Sequence, residues 1–431
     1  MKKILLGIIW AVGVVIPIHA QTVYVCKGFN YTKYQIASLG DITFDATKMT
    51  MSIAGEEQTI SEIDSITFEE PQFKKISIVY NGSTAKVTIP SSIKDVTCTS
   101  GTNSHVVITA KNTTEEYLYE VQGSSSNGSL TINGDYKMSV MLGGLALTSG
   151  KGAAIDIECG KRIDIILAEG TTNTLSDYAG GEQKAALYTK GHAEFKGAGT
   201  LNVSGNVKHA IAAKEYLELK GSLGTINILK AVSDGIHCGK GEKGNPEDNY
   251  FQMNGGTVTI SNCGSDCIDS DDYGNVKIKG GTLTLNVAQE DGTGIKCDSL
   301  FTMSGGTLTL AVSGVVAEGI RCSYRASFNG GSIDGAVTAL GSRGIRGKKA
   351  TKSTDTTKNG GYLDFNGTNV TLTVSGGTYT VDQSKCFGIK ADQTLTQTAG
   401  DISITVSNSA ATAIKAATDT WTGGTRNGKG K

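Results

Sequence analysis

The sequence has little proline and few large aromatic residues, with 4 Pro, 2 Trp and 10 Phe against 57 Gly in 431 residues. Glycine therefore occurs at about twice its usual frequency, a composition that argues against an ordinary helical protein. Neither sign of charge dominates, since 40 basic residues stand against 41 acidic ones. This balance excludes a general electrostatic attraction to nucleic acid or to anionic membranes, so any charge-driven binding has to be local.

Long apolar runs are also lacking, because no segment after the first twenty residues approaches the roughly 18 apolar residues of a membrane-spanning helix. The one apolar run, 4–18, follows Lys2 and Lys3 and precedes Ala20. This order is typical of a secretory signal peptide that is removed near Ala20. Pro17 interrupts the run, which disfavours a membrane anchor. We expect a protein without a transmembrane segment that is secreted or held at the cell surface.

What the sequence contains instead is a repeat of about 25 residues. From about residue 145, an Ile or Leu follows a small residue at regular intervals, and a glycine that opens an alternating strand recurs in step with it. The repeat positions are Ile155, Leu187, Ile211, Ile236, Ile268, Ile295, Ile320, Ile345, Ile389 and Ile414. A regular spacing of this kind predicts stacked repeats rather than separate domains.

Between these positions apolar residues alternate with polar ones, as in 282–287 and 307–310, which is the pattern of strands with one buried face. A unit of this size cannot bury its own apolar face, so the units have to stack. We predict an all-β fold, a right-handed parallel β-helix of about ten or more coils. The polar insertions 171–183, 239–249 and 348–360 are expected to project as loops.

The predicted domain boundaries follow from where this pattern begins and ends. Residues 1–20 form the signal peptide, 21–71 a leader of short strands, and 72–145 an N-terminal cap with irregular first coils. Residues 146–420 form the β-helix and 421–431 a C-terminal tail. We expect the chain to be a monomer.

Five successive repeats carry a cation directly after the repeat isoleucine, where the side chain is expected to face outward. We call these residues the cationic column: Lys296, Arg321, Arg346, Lys390 and Lys415. Equivalent residues of successive coils lie about 4.8 Å apart, and like charges at that distance repel by about 1 kcal/mol in water. One interpretation is that the side chains extend into solvent beside Asp291, Asp298 and Glu318. The other is a linear site for an acidic polysaccharide.

In each repeat, the residue before the isoleucine and the residue two positions after it are small or apolar. Two residues after the isoleucine, Cys238, Cys297 and Cys322 are expected to face inward as packed thiols, although adjacent coils would bring Cys297 and Cys322 close enough for a disulfide. The residue before each isoleucine is Ala, Gly or Cys throughout. If these residues face outward, they form a shallow floor beside the cationic column.

Acidic residues concentrate just before the cationic column. The candidate metal ligands are Asp234, Asp266, Asp269, Asp271 and Asp272. Carboxylate oxygens brought together by adjacent coils are the ligands that Ca²⁺ requires, so this stretch predicts a calcium site. The alternative is that these aspartates cap turns. A zinc site is not expected at Cys263 and Cys267, which have neither the CxxC spacing nor paired histidines.

The segments SDGI at 233–236, NGGTVTI at 254–260 and SGGTLTL at 304–310 resemble the secreted bacterial carbohydrate-binding β-helix family, which is similar in architecture to pectate lyases. The resemblance covers about residues 80 to 420. It implies a right-handed β-helix, bound calcium and affinity for plant-type or acidic polysaccharide without established cleavage. The family's Asp-Gly-Ile is kept only at Asp234, so the resemblance does not extend the calcium expectation to the C-terminal half.

Two other functions remain open, although we assign no catalytic residue and expect a non-catalytic binding protein. A lyase acting on uronate polymers would need a base, such as Arg321 or Lys296, beside calcium held by carboxylates. A hydrolase would need paired carboxylates, but the polygalacturonase motifs are absent as a set. Alternatively, the repeats form a structural spacer of a surface adhesin. Few aromatics are available to stack on sugar rings, which weakens binding to neutral glycans.

Overall fold

The computed structural model describes residues 22–27, 30–60, 63, 65–70, 74–100, 104–239, 249–270, 273–349 and 360–428. The predicted signal peptide, Asp271 and Asp272, and most of the insertions 239–249 and 348–360 lie outside the described residues. The chain divides into two compact units, Met1–Phe73 and Lys74–Lys431. No helix among the described residues has the length and apolar character needed to cross a membrane.

The first unit consists of two antiparallel three-stranded sheets, with strand orders β2-β1-β6 and β3-β4-β5. Its elements are β1 (Thr22–Lys27), β2 (Asn30–Gln35), a 3₁₀ helix (Ile36–Ser38), β3 (Thr43–Asp45), β4 (Thr50–Ile53), β5 (Glu56–Thr59) and β6 (Ser65–Thr67). Alternate residues of these strands point to one face. Val23, Val25, Tyr34, Met51 and Ile53 form a small buried core there.

The second unit is built from strands alone within its described residues. Its first half contains β7 (Lys75–Asn81), β8 (Thr84–Thr88), β9 (Val96–Ser100), β10 (His105–Ala110), β11 (Tyr117–Ser125), β12 (Ser129–Gly134), β13 (Met138–Thr148), β14 (Ile155–Glu158), β15 (Ile163–Leu167), β16 (Thr172–Ser176), β17 (Ala185–Thr189), β18 (Ala193–Lys196), β19 (Thr200–Gly205), β20 (His209–Ala213), β21 (Leu217–Leu219) and β22 (Thr225–Ala231). Its second half contains β23 (Ile236–Cys238), β24 (Tyr250–Met253), β25 (Thr257–Ile260), β26 (Ile268–Ser270), β27 (Asn275–Ile278), β28 (Thr282–Val287), β29 (Thr293–Cys297), β30 (Leu300–Val312), β31 (Glu318–Cys322), β32 (Arg325–Val337), β33 (Arg343–Gly347), β34 (Tyr362–Asn366), β35 (Asn369–Val374), β36 (Phe387–Ala399), β37 (Asp401–Val406), β38 (Thr412–Trp421) and β39 (Thr425–Asn427).

Strands of the second unit pair in parallel with their counterparts one repeat later, and the sheet closes on itself. β14 pairs with β17 and β17 with β20, in a register that sets Ile155 opposite Leu187 and Leu187 opposite Ile211. Antiparallel pairs occur where the unit begins, between β7 and β8 and between β9 and β10. The predicted all-β class is therefore confirmed, with a closed and mainly parallel sheet.

The interior is filled by the apolar half of each alternating strand. The repeat isoleucines Ile155, Ile236 and Ile320 are fully buried, and so are Cys297 and Cys322, which are free thiols. Burying each isoleucine side chain stabilises the fold by about 2 kcal/mol. Large rings also pack between neighbouring strands: Phe301 and Phe328 are tilted with centroids 5.3 Å apart, and Phe328 and Phe365 are stacked with centroids 4.5 Å apart.

The small residues before the isoleucines do not form an exposed floor, so this expectation is wrong. Ala154, Cys267 and Ala413 are all buried. A Cβ atom at Gly294 would lie 2.3 Å from the carbonyl oxygen of Gly319. These residues are small because the backbone of the next repeat lies directly against them.

Candidate functional site

The cationic column lies on five strands that pair in parallel, β29, β31, β33, β36 and β38. The register sets Lys296 opposite Arg321, Arg321 opposite Arg346, Arg346 opposite Lys390, and Lys390 opposite Lys415. Because neighbouring strands are about 4.8 Å apart, residues far apart in sequence form one row of positive charge.

Most of the column is paired with carboxylates rather than extended freely into solvent, and one of these carboxylates, Glu318, is an acid that the sequence predicts beside the column. The Lys296 Nζ lies 3.2 Å from Asp269 Oδ1, and the Arg346 Nη1 lies 2.6 Å from Glu318 Oε1. The exposed fraction is 23% for the Lys296 side chain and 16% for that of Arg346. Lys415 differs, because it is exposed and no carboxylate among the described residues forms an ion pair with it. Burial opposes the charge on Lys296, but Asp269 and Asp266 raise its pKa above the usual value.

Two carboxylates are each shared by more than one cation. Asp392 lies 3.4 Å from both Arg346 Nη2 and Lys390 Nζ. Glu318, which is 3% exposed, contacts Arg343 as well as Arg346 and lies 3.8 Å from Arg321 Nε. The cations of this region therefore outnumber the carboxylates that neutralise them.

A cleft of about 290 Å³ opens beside the column at Glu318. We call it the guanidinium cleft; it is lined by Asp291, Val316, Glu318, Arg321, Arg343, Arg346, Lys348, Asp382 and Ser384. Burial lowers the pKa of Arg343, and burial together with the charge of Arg321 lowers the pKa of Lys348. Among the described residues, no hydrogen-bond partner is present for Arg343 Nε, Arg346 Nε or Glu318 Oε2.

Three of the five predicted metal ligands come together, namely Asp234, Asp266 and Asp269, each with a carboxylate oxygen within 4.8 Å of the others. We call these three the acidic cluster; all are buried. Burial raises the pKa of Asp266 to about 6. Asp271 and Asp272 lie outside the described residues.

Two histidines that the sequence argument did not assign to the site contact the acidic cluster. His209 and His237 stack with centroids 4.2 Å apart, and each Nδ1 lies 3.1 Å from Asp234 Oδ2. Burial disfavours the charged forms of His237 and Asp234. Their hydrogen bonds nevertheless raise the pKa of His237 to about 9 and lower the pKa of Asp234. Asp234 is thus held ionised between two imidazoles.

The donor chemistry of the acidic cluster fits Ca²⁺, because three carboxylates supply hard oxygen ligands. Other groups already contact those oxygens. Lys296 Nζ lies 3.2 Å from both carboxylate oxygens of Asp269 and 3.6 Å from Asp266 Oδ2, and the Thr293 N–H donates to Asp266 Oδ1 at 2.9 Å. A cation at this cluster would therefore compete with the Lys296 ammonium group.

Aromatic rings on another face of the sheet are stacked on one another rather than open to a ligand. The centroids of His192 and Tyr216 lie 4.3 Å apart, and those of Tyr216 and Tyr250 lie 4.7 Å apart. The Lys277 Nζ lies 4.7 Å from the centroid of Tyr250. Both faces of Tyr216 and Tyr250 are therefore covered, so neither ring offers a free face to a sugar.

The chain matches a protein family and is similar to a solved structure. The model of a family described as carbohydrate-binding domain-containing protein matches residues 102–410. The chain is also similar to the polysaccharide lyase-like protein from C. thermocellum, solved as a gadolinium derivative. That similarity has 17% identity and a TM-score of 0.40, and it covers 79% of this chain and 99% of the other. Comparison with curated proteins gives no significant match.

Proposed function

The chain belongs to the carbohydrate-binding domain-containing protein family, and we propose that it is a secreted or surface-held protein that binds acidic, polyuronate-type polysaccharide along the cationic column. For its fold we propose a right-handed parallel β-helix. The support for this handedness is general, since parallel strands joined by a crossover in one sheet are right-handed in about 98% of cases.

The observation that carries the proposed ligand is the register of the column. Five neighbouring strands present a cation at the same position, from Lys296 to Lys415. A polymer with one carboxylate per sugar offers charges that also repeat, so one chain can contact several repeats at once. The shared carboxylates Glu318 and Asp392 leave positive charge unbalanced, and a polyanion would neutralise it.

We further propose that Ca²⁺ assists this binding at the acidic cluster. Asp234, Asp266 and Asp269 would hold the ion. Beyond Lys296 the next position of the column is a carboxylate, Asp269, which belongs to the acidic cluster. Bound calcium would supply positive charge for polymer carboxylates at that end of the column.

A lyase has less support than a binding protein. A general base works best when its pKa lies near the operating pH. The carboxylates around Lys296 raise its pKa, so its side chain stays protonated and is poorly suited to remove a proton from a sugar.

The experiment that tests the proposed function compares polygalacturonate with the same polymer after full methyl esterification. Both ligands have the same sugar backbone, and only the first carries carboxylates. Isothermal titration calorimetry, with calcium and with a chelator, is expected to detect binding of polygalacturonate alone, with weaker binding in chelator. Equal affinity for both polymers would refute the proposal. Release of unsaturated sugar, followed by ultraviolet absorbance in the same samples, would instead support the lyase alternative.

A further inference from the structure

The guanidinium cleft combines residues of the repeat with residues from loops. β31 contributes Glu318 and Arg321, and β33 contributes Arg343 and Arg346, whereas Asp382 and Ser384 come from the segment between β35 and β36. The volume of about 290 Å³ lies at the lower limit for pockets that bind small molecules, which run from about 300 to 1,000 Å³. A cleft of this size suits one sugar ring rather than a segment of polymer.

The floor of the cleft holds more positive than negative charge. Three guanidinium groups surround the single carboxylate of Glu318, with Arg343 Nη1 at 3.2 Å and Arg346 Nη1 at 2.6 Å from its Oε1. Arg343 is only 8% exposed, and its Nε has no hydrogen-bond partner among the described residues. A buried guanidinium with an unused N–H donor is costly unless an acceptor reaches it. This charge and these donors fit an anionic acceptor.

The rim of the cleft argues that the anion belongs to a sugar. Asp291 and Asp382 line it together with Ser384, whose N–H and hydroxyl both donate to Asp382, at 2.9 and 2.7 Å. Carboxylates at the rim repel inorganic sulfate and phosphate by like charge, and sulfate has no donor for them at neutral pH. A uronate satisfies both parts of the cleft, because its carboxylate accepts from guanidinium groups while its hydroxyls donate to aspartates.

We propose that the guanidinium cleft binds a single uronate residue, with the sugar carboxylate facing Arg321, Arg343, Arg346 and Lys348 and the sugar hydroxyls facing Asp291 and Asp382. This inference rests on the proposed function and gives it a specific subsite. Planar guanidinium groups match the geometry of a carboxylate. The site thus recognises one residue of the polymer, while the remainder of the cationic column adds less specific charge contacts.

The test uses free galacturonate as the probe and saturation-transfer NMR on the full chain, which detects weak binding. Lys348→Met removes a charge at the cleft and is expected to weaken galacturonate binding about tenfold. Asp382→Asn removes a carboxylate at the rim. It is expected to weaken galacturonate binding several-fold, because the sugar hydroxyls face Asp382. The matched control is Lys349→Met, which removes the same charge from an exposed neighbour and is expected to change nothing. Galactose, inorganic sulfate and inorganic phosphate are expected not to compete.

Failure of the cleft inference and failure of the proposed function would give different results. If galacturonate does not bind, while polygalacturonate binding still falls in Lys390→Ala and Lys415→Ala, the cleft inference is wrong and the proposed function stands. If galacturonate binds and Lys348→Met weakens it, but polygalacturonate and its esterified form bind equally, the cleft stands and the proposed function fails. Competition by sulfate or by a sulfated sugar as strong as that by galacturonate would overturn the assignment to a carboxylate.

Discussion

Arg321 and Arg346 lie opposite each other on neighbouring parallel strands, and both approach the carboxylate of Glu318, at 3.8 and 2.6 Å. One buried acid thus holds two like charges side by side. Bringing two cations to neighbouring positions is costly without such a partner, by about 3 to 4 kcal/mol at an effective dielectric of 20. The shared Glu318 keeps the row of charge in place, and the row retains positive charge to offer an anionic ligand.

Lys415 gives the cleanest test of the cationic column, because it is exposed and forms no ion pair with the described residues. We expect Lys415→Ala to weaken polygalacturonate binding about three- to fivefold, as removal of one exposed charge contact contributes about 1 kcal/mol at most. Isothermal titration calorimetry at low salt measures the change. Lys279→Ala serves as the control, since it removes an exposed lysine outside the column. Equal losses in the two variants would contradict a specific role for Lys415.

Lys296→Met is expected to raise the affinity for Ca²⁺ about tenfold. The ammonium group lies within 3.6 Å of Asp266 and Asp269, so it competes with a metal ion for the same oxygens. The readout is the rise in melting temperature with added calcium, compared between the variant and the natural chain. Asp266→Asn should abolish the rise. A Lys296→Met variant that responds no more strongly to calcium would argue against competition at this cluster.

Asp156 predicts a pH dependence of stability. Burial, and to a lesser degree Glu158, raises the pKa of this carboxyl to about 6, against about 4 in an unfolded chain. The folded state therefore holds the proton more tightly, and stability falls as the pH rises from about 4 through 6. We expect Asp156→Asn to remove this loss, stabilising the protein by up to about 3 kcal/mol at pH 8 and by almost nothing at pH 4. Urea unfolding at the two pH values measures it, and an equal effect at both would contradict the assignment.

Gly319 tests the close packing between repeats. A Cβ atom at this position would lie 2.4 Å from the carbonyl oxygen of Gly344, so Gly319→Ala forces the backbones apart. We expect a loss of about 1 to 3 kcal/mol in the free energy of unfolding, measured by denaturant titration. At Gly160 an added Cβ would meet nothing within 4 Å, so Gly160→Ala is expected to be neutral. Equal stability of the two variants would contradict the explanation that close packing of neighbouring repeats requires a small residue before each isoleucine.

The repeat and its register could be predicted from the sequence, because strands that stack in parallel place equivalent residues together. The spacing of Ile295, Ile320 and Ile345 is enough to set Lys296, Arg321 and Arg346 in one row, as the register has them. The inward direction of Cys297 and Cys322 follows from the same alternation.

The sequence predicts Glu318 beside the cations and Asp269 as a metal ligand just before them, but it does not predict which cation each acid contacts. Two positions before the isoleucines lie His209, Asp234, Asp266, Glu318 and Arg343. These residues form a second column, in which Asp266 lies beside Lys296 and Glu318 beside Arg346. Asp382 and Ser384 belong to a connecting segment with no fixed place in the repeat, so no spacing argument could have brought them to the guanidinium cleft.

The most direct test of the central claim is the salt dependence of polygalacturonate affinity in two double variants. The claim is that the stacked cations act as one charged surface, so each lost charge should reduce the fall of affinity with rising salt. In the double variant Lys390→Ala with Lys415→Ala, we predict that polygalacturonate affinity falls less steeply with salt than in the natural chain. In the control double variant Lys279→Ala with Lys349→Ala, we predict that the salt dependence is unchanged. The same steepness in all three proteins would show that the polymer binds elsewhere.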